Sequence, residues 1–135
     1  MEPFGWQKSS AHLLLLSKYL RAGPANIYAR HKEWEQVLKE SVDDAIQRFL
    51  IDGALVKLDL ASHLDFKLTV PQLKTMLKTS GVKVTGRKEQ LIARLMETNP
   101  SAAQKAVDDL QLVQCSDSGR EITERYQREE NERHT

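Results

Sequence analysis

Apolar side chains recur at spacings of three and four residues over most of this chain, and that period predicts helices. The clearest case is Val42, Ala45, Ile46 and Phe49, which would share one face of a helix. Ser41 precedes them as a capping residue and Gly53 follows as a stop. The pattern predicts one well-marked amphipathic helix here.

Apart from that helix, the regions outside residues 67–99 carry weaker signals of the same kind. They predict a helix from Ser9 or Ser10 to about Leu20, a helix from about Ala25 to Lys39, an extended segment or a loop over ALVKLDL (54–60), a helix over about Ala102–Leu110, an apolar LQLV stretch (110–113), a turn at SDSG (116–119) and a charged helix from Arg120. A mainly α fold follows.

Residues 69–81 have the best start signal in the chain. Thr69 followed by Gln72 is a capping box, and Pro71 lies in the first turn, where its missing N–H costs nothing. Val70, Leu73, Met76 and Leu77 then form one apolar stripe that ends at Gly81. These signals predict the first helix of a pair.

The second helix of the pair is predicted to start after Thr85, which can cap it, and to end at Asn99-Pro100. Its buried side is expected to carry Leu91, Ile92, Leu95 and Met96. The pair divides the chain into an N-terminal helical region (1–66), a two-helix module (67–99) and a C-terminal helical region with a charged tail (100–135).

Composition fits a soluble globular protein, with 40% hydrophobic and 29% charged residues. Cys115 is the sole cysteine, which excludes an internal disulfide and fits a reducing setting. The longest apolar run, Leu13–Leu16, is too short for a membrane span. We therefore expect a cytoplasmic protein.

Charge is concentrated in the module. The formal net charge of the chain is only +1, but residues 67–97 carry seven Lys and Arg against two Glu. The segments before and after this one are both net negative. Such a local excess is what an anion-binding surface needs.

The cations follow the two helices and the loop between them. Lys74 and Lys78, four residues apart, share a face of the first helix, and Arg87 and Arg94 line the second. The stem of Lys88 should pack while its ammonium group emerges at the helix start. From the residues alone, GVKVTGRK (81–88) fits either a phosphate-binding loop or a solvated basic turn in which Thr85 is only a cap.

The stretch LTVPQLKTMLKTSGVKVTGRKEQLIARLMET (68–98) closely resembles a SAP domain, the small helix–extended loop–helix module of DNA-associated proteins. The resemblance covers about 31 of 135 residues. It includes the spacing between the helices and the Thr85-Gly86 pair. Val82 stands where the family more often has Leu, and Thr85 where Ser is common. Around the module, the chain is similar to small bacterial proteins that embed a SAP module in a helical setting.

The resemblance implies a mainly α protein that binds double-stranded DNA through backbone and minor-groove contacts, with a mild preference for A/T-rich sequence. Because the sequence has no catalytic or metal-binding signature, we expect no enzyme activity and no cofactor. Carried over by position, with Arg94 added from the exposed face of the second helix, the candidate nucleic-acid-binding residues are Lys74, Lys78, Lys83, Thr85, Gly86, Arg87, Lys88 and Arg94.

Other functions have less support from the sequence. Four histidines and one cysteine without short spacing argue against a zinc site, and no Walker loop or nucleophile constellation is present. An alternative function is docking of a protein partner through Tyr28, Trp34, Phe49 or the charged C-terminal helix. Double-stranded RNA is a third option, because backbone contacts alone do not exclude it.

Overall fold

A computed structural model describes residues 5–133 of the 135-residue chain. In chain order, a 3₁₀ turn (Trp6–Lys8) is followed by α1 (Ser10–Ser17), β1 (Gly23–Pro24), α2 (Lys32–Leu38), α3 (Val42–Ile51), β2 (Leu55–Lys57), α4 (Leu60–Lys67), α5 (Val70–Thr79), α6 (Lys88–Thr98), α7 (Pro100–Ala106), β3 (Leu112–Cys115) and α8 (Asp117–Arg133). Helices dominate the described residues, so the predicted mainly α fold is confirmed.

The chain folds as two compact units. The sheet unit comprises the described residues up to Lys57 together with those from Leu112 onward. The inserted unit, Leu58–Gln111, lies between these two pieces in the sequence. The boundaries that the sequence suggested for the module, 67 and 99, stay a prediction.

The sheet is small and entirely antiparallel. Its strand order is β1-β3-β2, with Leu55 opposite Cys115 and Lys57 opposite Val113. The alternating ALVKLDL segment therefore supplies a strand, which was one of its two predicted forms. Its partner β3 comes from the apolar stretch that begins at Leu110.

Two predicted helices are shorter in the structure. The first ends at Ser17 rather than Leu20, and α2 starts at Lys32 rather than Ala25. Gly23 and Pro24 pair with β3, and Tyr19 donates its hydroxyl to the Pro24 carbonyl at 2.9 Å. Pairing with a distant strand thus holds this segment extended, and turns follow it up to α2.

The turn predicted at SDSG is wrong, because these residues start α8. The Ser116 hydroxyl accepts a hydrogen bond from the Gly119 N–H at 3.1 Å and caps the helix, which begins at Asp117. Gly119 is buried directly against the Ala54 carbonyl. The C-terminal helix is therefore longer than predicted. Its first turn packs against Ala54, the residue before β2.

The core of the sheet unit surrounds Phe49. Phe49 has no exposed surface and meets the Trp6 ring edge-on, with ring centroids 4.9 Å apart. The Trp6 indole N–H donates to Asp52 Oδ2 at 2.6 Å. Phe49 is therefore a packing residue, and the expectation that it forms a docking surface is wrong. Tyr28 and Trp34 are half-buried against the same core.

A charged cluster lies beside this core. His12 is fully buried, and its Nε2 contacts Glu40 Oε2, while Arg48 Nε donates to Glu40 Oε1 at 2.8 Å. His12 Nδ1 contacts the Ser9 hydroxyl at 2.8 Å. Burial of Glu40 alone would raise its pKa, but the hydrogen bonds from Arg48 and His12 outweigh burial and hold the pKa below its ordinary value.

Acid should therefore destabilise the sheet unit through Glu40. Stability from a carboxylate with a lowered folded-state pKa is present above its unfolded pKa, about 4.3, and is lost as pH falls through the folded pKa. Urea unfolding followed by tryptophan fluorescence at about pH 5 and about pH 3 measures this, since Trp6 and Trp34 both lie in the sheet unit. The Glu40→Gln variant should show a shallower pH dependence. An equally steep dependence in that variant would contradict the assignment.

The inserted unit packs α4–α7 around a core of its own. Leu64, Leu73, Leu77, Leu91 and Leu95 have no exposed surface. The helix predicted at about Ala102–Leu110 instead spans Pro100–Ala106, because the Asn99 side chain caps it by accepting from the Ala102 N–H at 3.2 Å. Helix α4 was not predicted. It packs against α6 and α7 and contributes Leu64 to this core.

Candidate nucleic-acid interface

The first helix of the pair, α5, forms as predicted. Thr69 and Gln72 make the capping box: the Thr69 N–H donates to Gln72 Oε1 at 2.8 Å, and the Thr69 hydroxyl accepts from the Gln72 N–H at 3.4 Å. Leu73 and Leu77 are buried, whereas Lys74 and Lys78 are exposed. The two lysines therefore share a solvent-facing side of α5.

The loop after α5 turns sharply at Gly81 and then runs without regular secondary structure to the start of α6. Gly81 has a φ of +73°, and the Val82 N–H reaches back to the Leu77 carbonyl at 3.1 Å, which ends the helix. Val82 and Val84 are half-buried against the core, while Lys83 and Thr85 are exposed. This alternation directs the polar side chains of the loop outward.

Helix α6 begins at Lys88, so Thr85 is not its cap and that prediction is wrong. Arg87 is the N-cap residue, and its backbone N–H donates to Gln90 Oε1 at 2.8 Å. Gly86, with a φ of +132°, lies between Thr85 and Arg87, so the N-cap position is two residues after Thr85. Within residues 5–133 the Thr85 hydroxyl has no hydrogen-bond partner, and it is exposed.

Gly86 is required by the protein itself. A Cβ at this position would lie 2.8 Å from Gln90 Oε1, the atom that caps Arg87. A positive φ near +132° is also a region that L side chains rarely adopt. The glycine therefore shapes the loop, and its predicted role in letting a ligand approach stays a prediction.

Arg94 lies on α6 and contacts the backbone of the loop. Its Nη1 donates to the Lys83 carbonyl and to the Thr85 carbonyl, both at 2.9 Å. The side chain is half-buried. Part of the hydrogen-bonding capacity of Arg94 is therefore already used inside the protein.

Lys88 is also engaged. Its Nζ donates to the Asp65 carbonyl at 2.7 Å and lies 3.4 Å from Asp65 Oδ1. A second acidic residue from outside the helix pair, Asp109, pairs with Lys67, and this pairing lowers the pKa of Asp109. Two of the seven basic residues in 67–97 are therefore partly neutralised by flanking acids that the sequence did not point to.

The remaining cations form the available positive surface. Lys74, Lys78, Lys83 and Arg87 are exposed, and within residues 5–133 none of them makes an ion pair. They come from α5, the loop and the start of α6, elements that are consecutive in the chain and pack on a common core. At the same helix start, the N–H groups of Lys88 and Glu89 have no acceptor among the described residues.

This helix–extended loop–helix arrangement can be compared with known families. The model of the SAP domain family matches residues 66–99. Residues 66–99 are a SAP domain. The resemblance predicted from LTVPQLK…LIARLMET is thereby confirmed for this segment. Searches of curated proteins and of solved structures gave no significant match.

SAP domains are in general modules that bind DNA or other nucleic acid, and they are not catalytic. In this chain the matched segment begins at Phe66, the last aromatic residue before α5, whose side chain is 52% exposed. Residues 67–97 contain no aromatic residue, so the described surface offers no stacking platform for single-stranded bases there. Cations and backbone donors are what this SAP domain presents.

Three further features concern the described chain as a whole. No group of three or more potential metal ligands occurs among residues 5–133. Burial raises the pKa of Cys115 to about 11, so its thiol stays protonated at neutral pH. None of the helices that the structure describes is both long enough and apolar enough to cross a membrane.

Proposed function

We propose that the protein binds double-stranded DNA, without catalysis. The binding surface would be the face of its SAP domain that carries the exposed cations, and it would contact the DNA backbone. The observation that carries the proposal is the SAP match over residues 66–99, in a segment where four exposed cations make no ion pair with described residues. Lys74 and Lys78 on α5, Lys83 and Thr85 in the loop, and Arg87 at the start of α6 would contact phosphates.

The proposed contacts are mostly phosphate contacts, so they supply affinity and little sequence information. A mild A/T preference and minor-groove contact are further parts of the proposal. So is a cytoplasmic location, with association with the nucleoid if the protein is bacterial. Four available cations limit the binding. At about −0.9 per neutralised phosphate, we expect a slope of log K against log salt of about −3 to −4.

The test is fluorescence anisotropy of a labelled A/T-rich duplex at several salt concentrations. The variant Lys83→Ala/Arg87→Ala should bind more weakly, and the magnitude of its salt slope should fall by about 2, because two phosphate contacts are lost. A matched control is Lys18→Ala/Arg30→Ala, which removes one Lys and one Arg, both exposed, from the sheet unit. The control should keep the full slope.

Lys83 and Arg87 suit this test better than Lys88, whose replacement would also break the contact with Asp65. Absence of duplex binding by the unaltered protein at low salt would refute the proposal. Competition by a G/C-rich duplex and by double-stranded RNA measures the preferences. Equal competition by RNA would remove the proposed selectivity for DNA.

Docking of a protein partner is a second proposed function. It is favoured by two apolar side chains of the sheet unit that are largely exposed, Val37 at 59% and Ile51 at 80%. A complex that survives nuclease treatment and is lost in Ile51→Ser would support it. A complex that disappears with nuclease would show that DNA mediates the association.

A further inference from the structure

The loop that carries Lys83 and Thr85 has few hydrogen bonds of its own. Its ends are fixed by the Val82 N–H on the Leu77 carbonyl and by the Arg87 N–H on Gln90 Oε1. Between these ends, the two bonds from Arg94 Nη1 are the only hydrogen bonds to the backbone of residues 83–86 within the described part of the chain. Arg94 therefore holds the middle of the loop.

The contact joins two residues of the loop to one side chain. Arg94 Nη1 donates to the carbonyls of Lys83 and of Thr85, so the loop brings these two carbonyl groups close to a single nitrogen. A guanidinium Nη carries two N–H bonds, which allows one bond to Lys83 and one to Thr85. Since α6 also carries the buried Leu91 and Leu95, the arginine links the loop to a packed helix.

We infer that Arg94 is a positioning residue for DNA binding rather than a phosphate contact. By holding the two carbonyls, it fixes the loop so that the Lys83 side chain and the Thr85 hydroxyl face outward before DNA arrives. Ordering a loop costs conformational entropy, and a loop that is already ordered in the free protein avoids that cost on binding. This inference rests on the proposed function and changes the role that the sequence suggested for Arg94.

The inference predicts coupling between Arg94 and Lys83. We expect Arg94→Ala to weaken duplex binding by about tenfold, because the loop becomes mobile in the free protein. Lys83→Ala should weaken binding several-fold in the unaltered protein but less than about twofold when Arg94 is already alanine. Anisotropy titrations of the two single variants and the double variant, all in the full chain, measure this.

A double-mutant cycle of Lys74→Ala with Lys83→Ala is the matched control, since Lys74 is an exposed cation on α5 that makes no hydrogen bond to the loop. The fold-losses of duplex affinity in these two variants should multiply in the double variant. Amide NMR shifts give a second readout: in free Arg94→Ala, the signals of residues 83–87 should move while those of Leu91 and Leu95 stay. Global unfolding would move both sets.

Two results separate the possible failures. If the unaltered protein binds and the losses from Arg94→Ala and Lys83→Ala simply multiply, with the salt slope falling by about 1 for Arg94→Ala alone, then Arg94 contacts phosphate itself and the inference is overturned. If the unaltered protein does not bind duplex at low salt, the proposed function fails, and the inference fails with it.

Discussion

Replacing Gly119 by alanine should destabilise the sheet unit by about 3 kcal/mol or more. A Cβ at this position would lie 1.9 Å from the Ala54 carbonyl oxygen and 2.9 Å from its carbon. Both neighbours are backbone atoms, so the clash can be relieved only by moving the start of α8 away from the segment before β2. Urea unfolding followed by tryptophan fluorescence measures the loss, because both tryptophans lie in this unit.

The control for Gly119 is Glu121→Ala. Glu121 is exposed on the same helix, and surface changes of this kind usually stay within about 0.5 kcal/mol. The comparison separates the effect of close packing from that of any change in α8. An unfolding midpoint for Gly119→Ala equal to that of Glu121→Ala would mean that α8 does not depend on this close approach.

Gly86→Ala should weaken both the inserted unit and DNA binding. The φ of +132° is unfavourable for alanine, a strain of about 1–3 kcal/mol, and the new Cβ would lie 2.8 Å from Gln90 Oε1. Displacing Gln90 removes the hydrogen bond that caps Arg87 at 2.8 Å. We expect faster amide hydrogen exchange in α6 together with weaker duplex binding. The inserted unit lacks tryptophan, so exchange rather than fluorescence is the suitable measurement.

Gln90→Ala is the control that removes the cap without the backbone strain. It should cost about 1 kcal/mol, the usual contribution of a capping hydrogen bond, and so less than Gly86→Ala. If the two variants exchange at the same rate, the cap explains the whole effect. That result would leave no role for the strained φ.

Local signals were sufficient at two helix starts where a side chain caps the helix. Thr69 with Gln72, and Ser41 before α3, were predicted from the sequence and lie at those helix starts in the structure. Ser116 is also a capping residue type and is followed directly by Asp117, but Gly119 made the segment look like a turn. The structure shows why glycine is there, since it packs against Ala54.

The errors have two other physical causes. Thr85 was predicted as a cap because threonine is a common N-cap residue. The helix instead starts after Arg87, and arginine is not among the preferred N-cap residues. The extended form of residues 23–24 depends on β3, about ninety residues later in the chain. Helix propensity cannot report such a distant pairing.

The sequence predicted which cations of the candidate site are exposed, but it did not predict the acidic residues that pair with Lys67 and Lys88. Lys74, Lys78, Lys83 and Arg87 are exposed, as their spacing suggested. The contacts of Lys88 with Asp65 and of Lys67 with Asp109 join residues that are 23 and 42 positions apart. They depend on the unpredicted helix α4, so the charge excess of residues 67–97 overstated the surface that is free to meet DNA.

The pairing of β2 with β3 has a consequence for the stability of the SAP domain. Lys57 and Val113 lie opposite each other, so the chain leaves the sheet unit and returns to it at neighbouring strands. While that unit is folded, an unfolded Leu58–Gln111 segment is a closed loop instead of a free chain. Loop closure on this scale removes unfolded-state entropy worth roughly 4 kcal/mol. The sheet acts as a non-covalent cross-link, and a SAP domain cut out of this chain would lose that contribution.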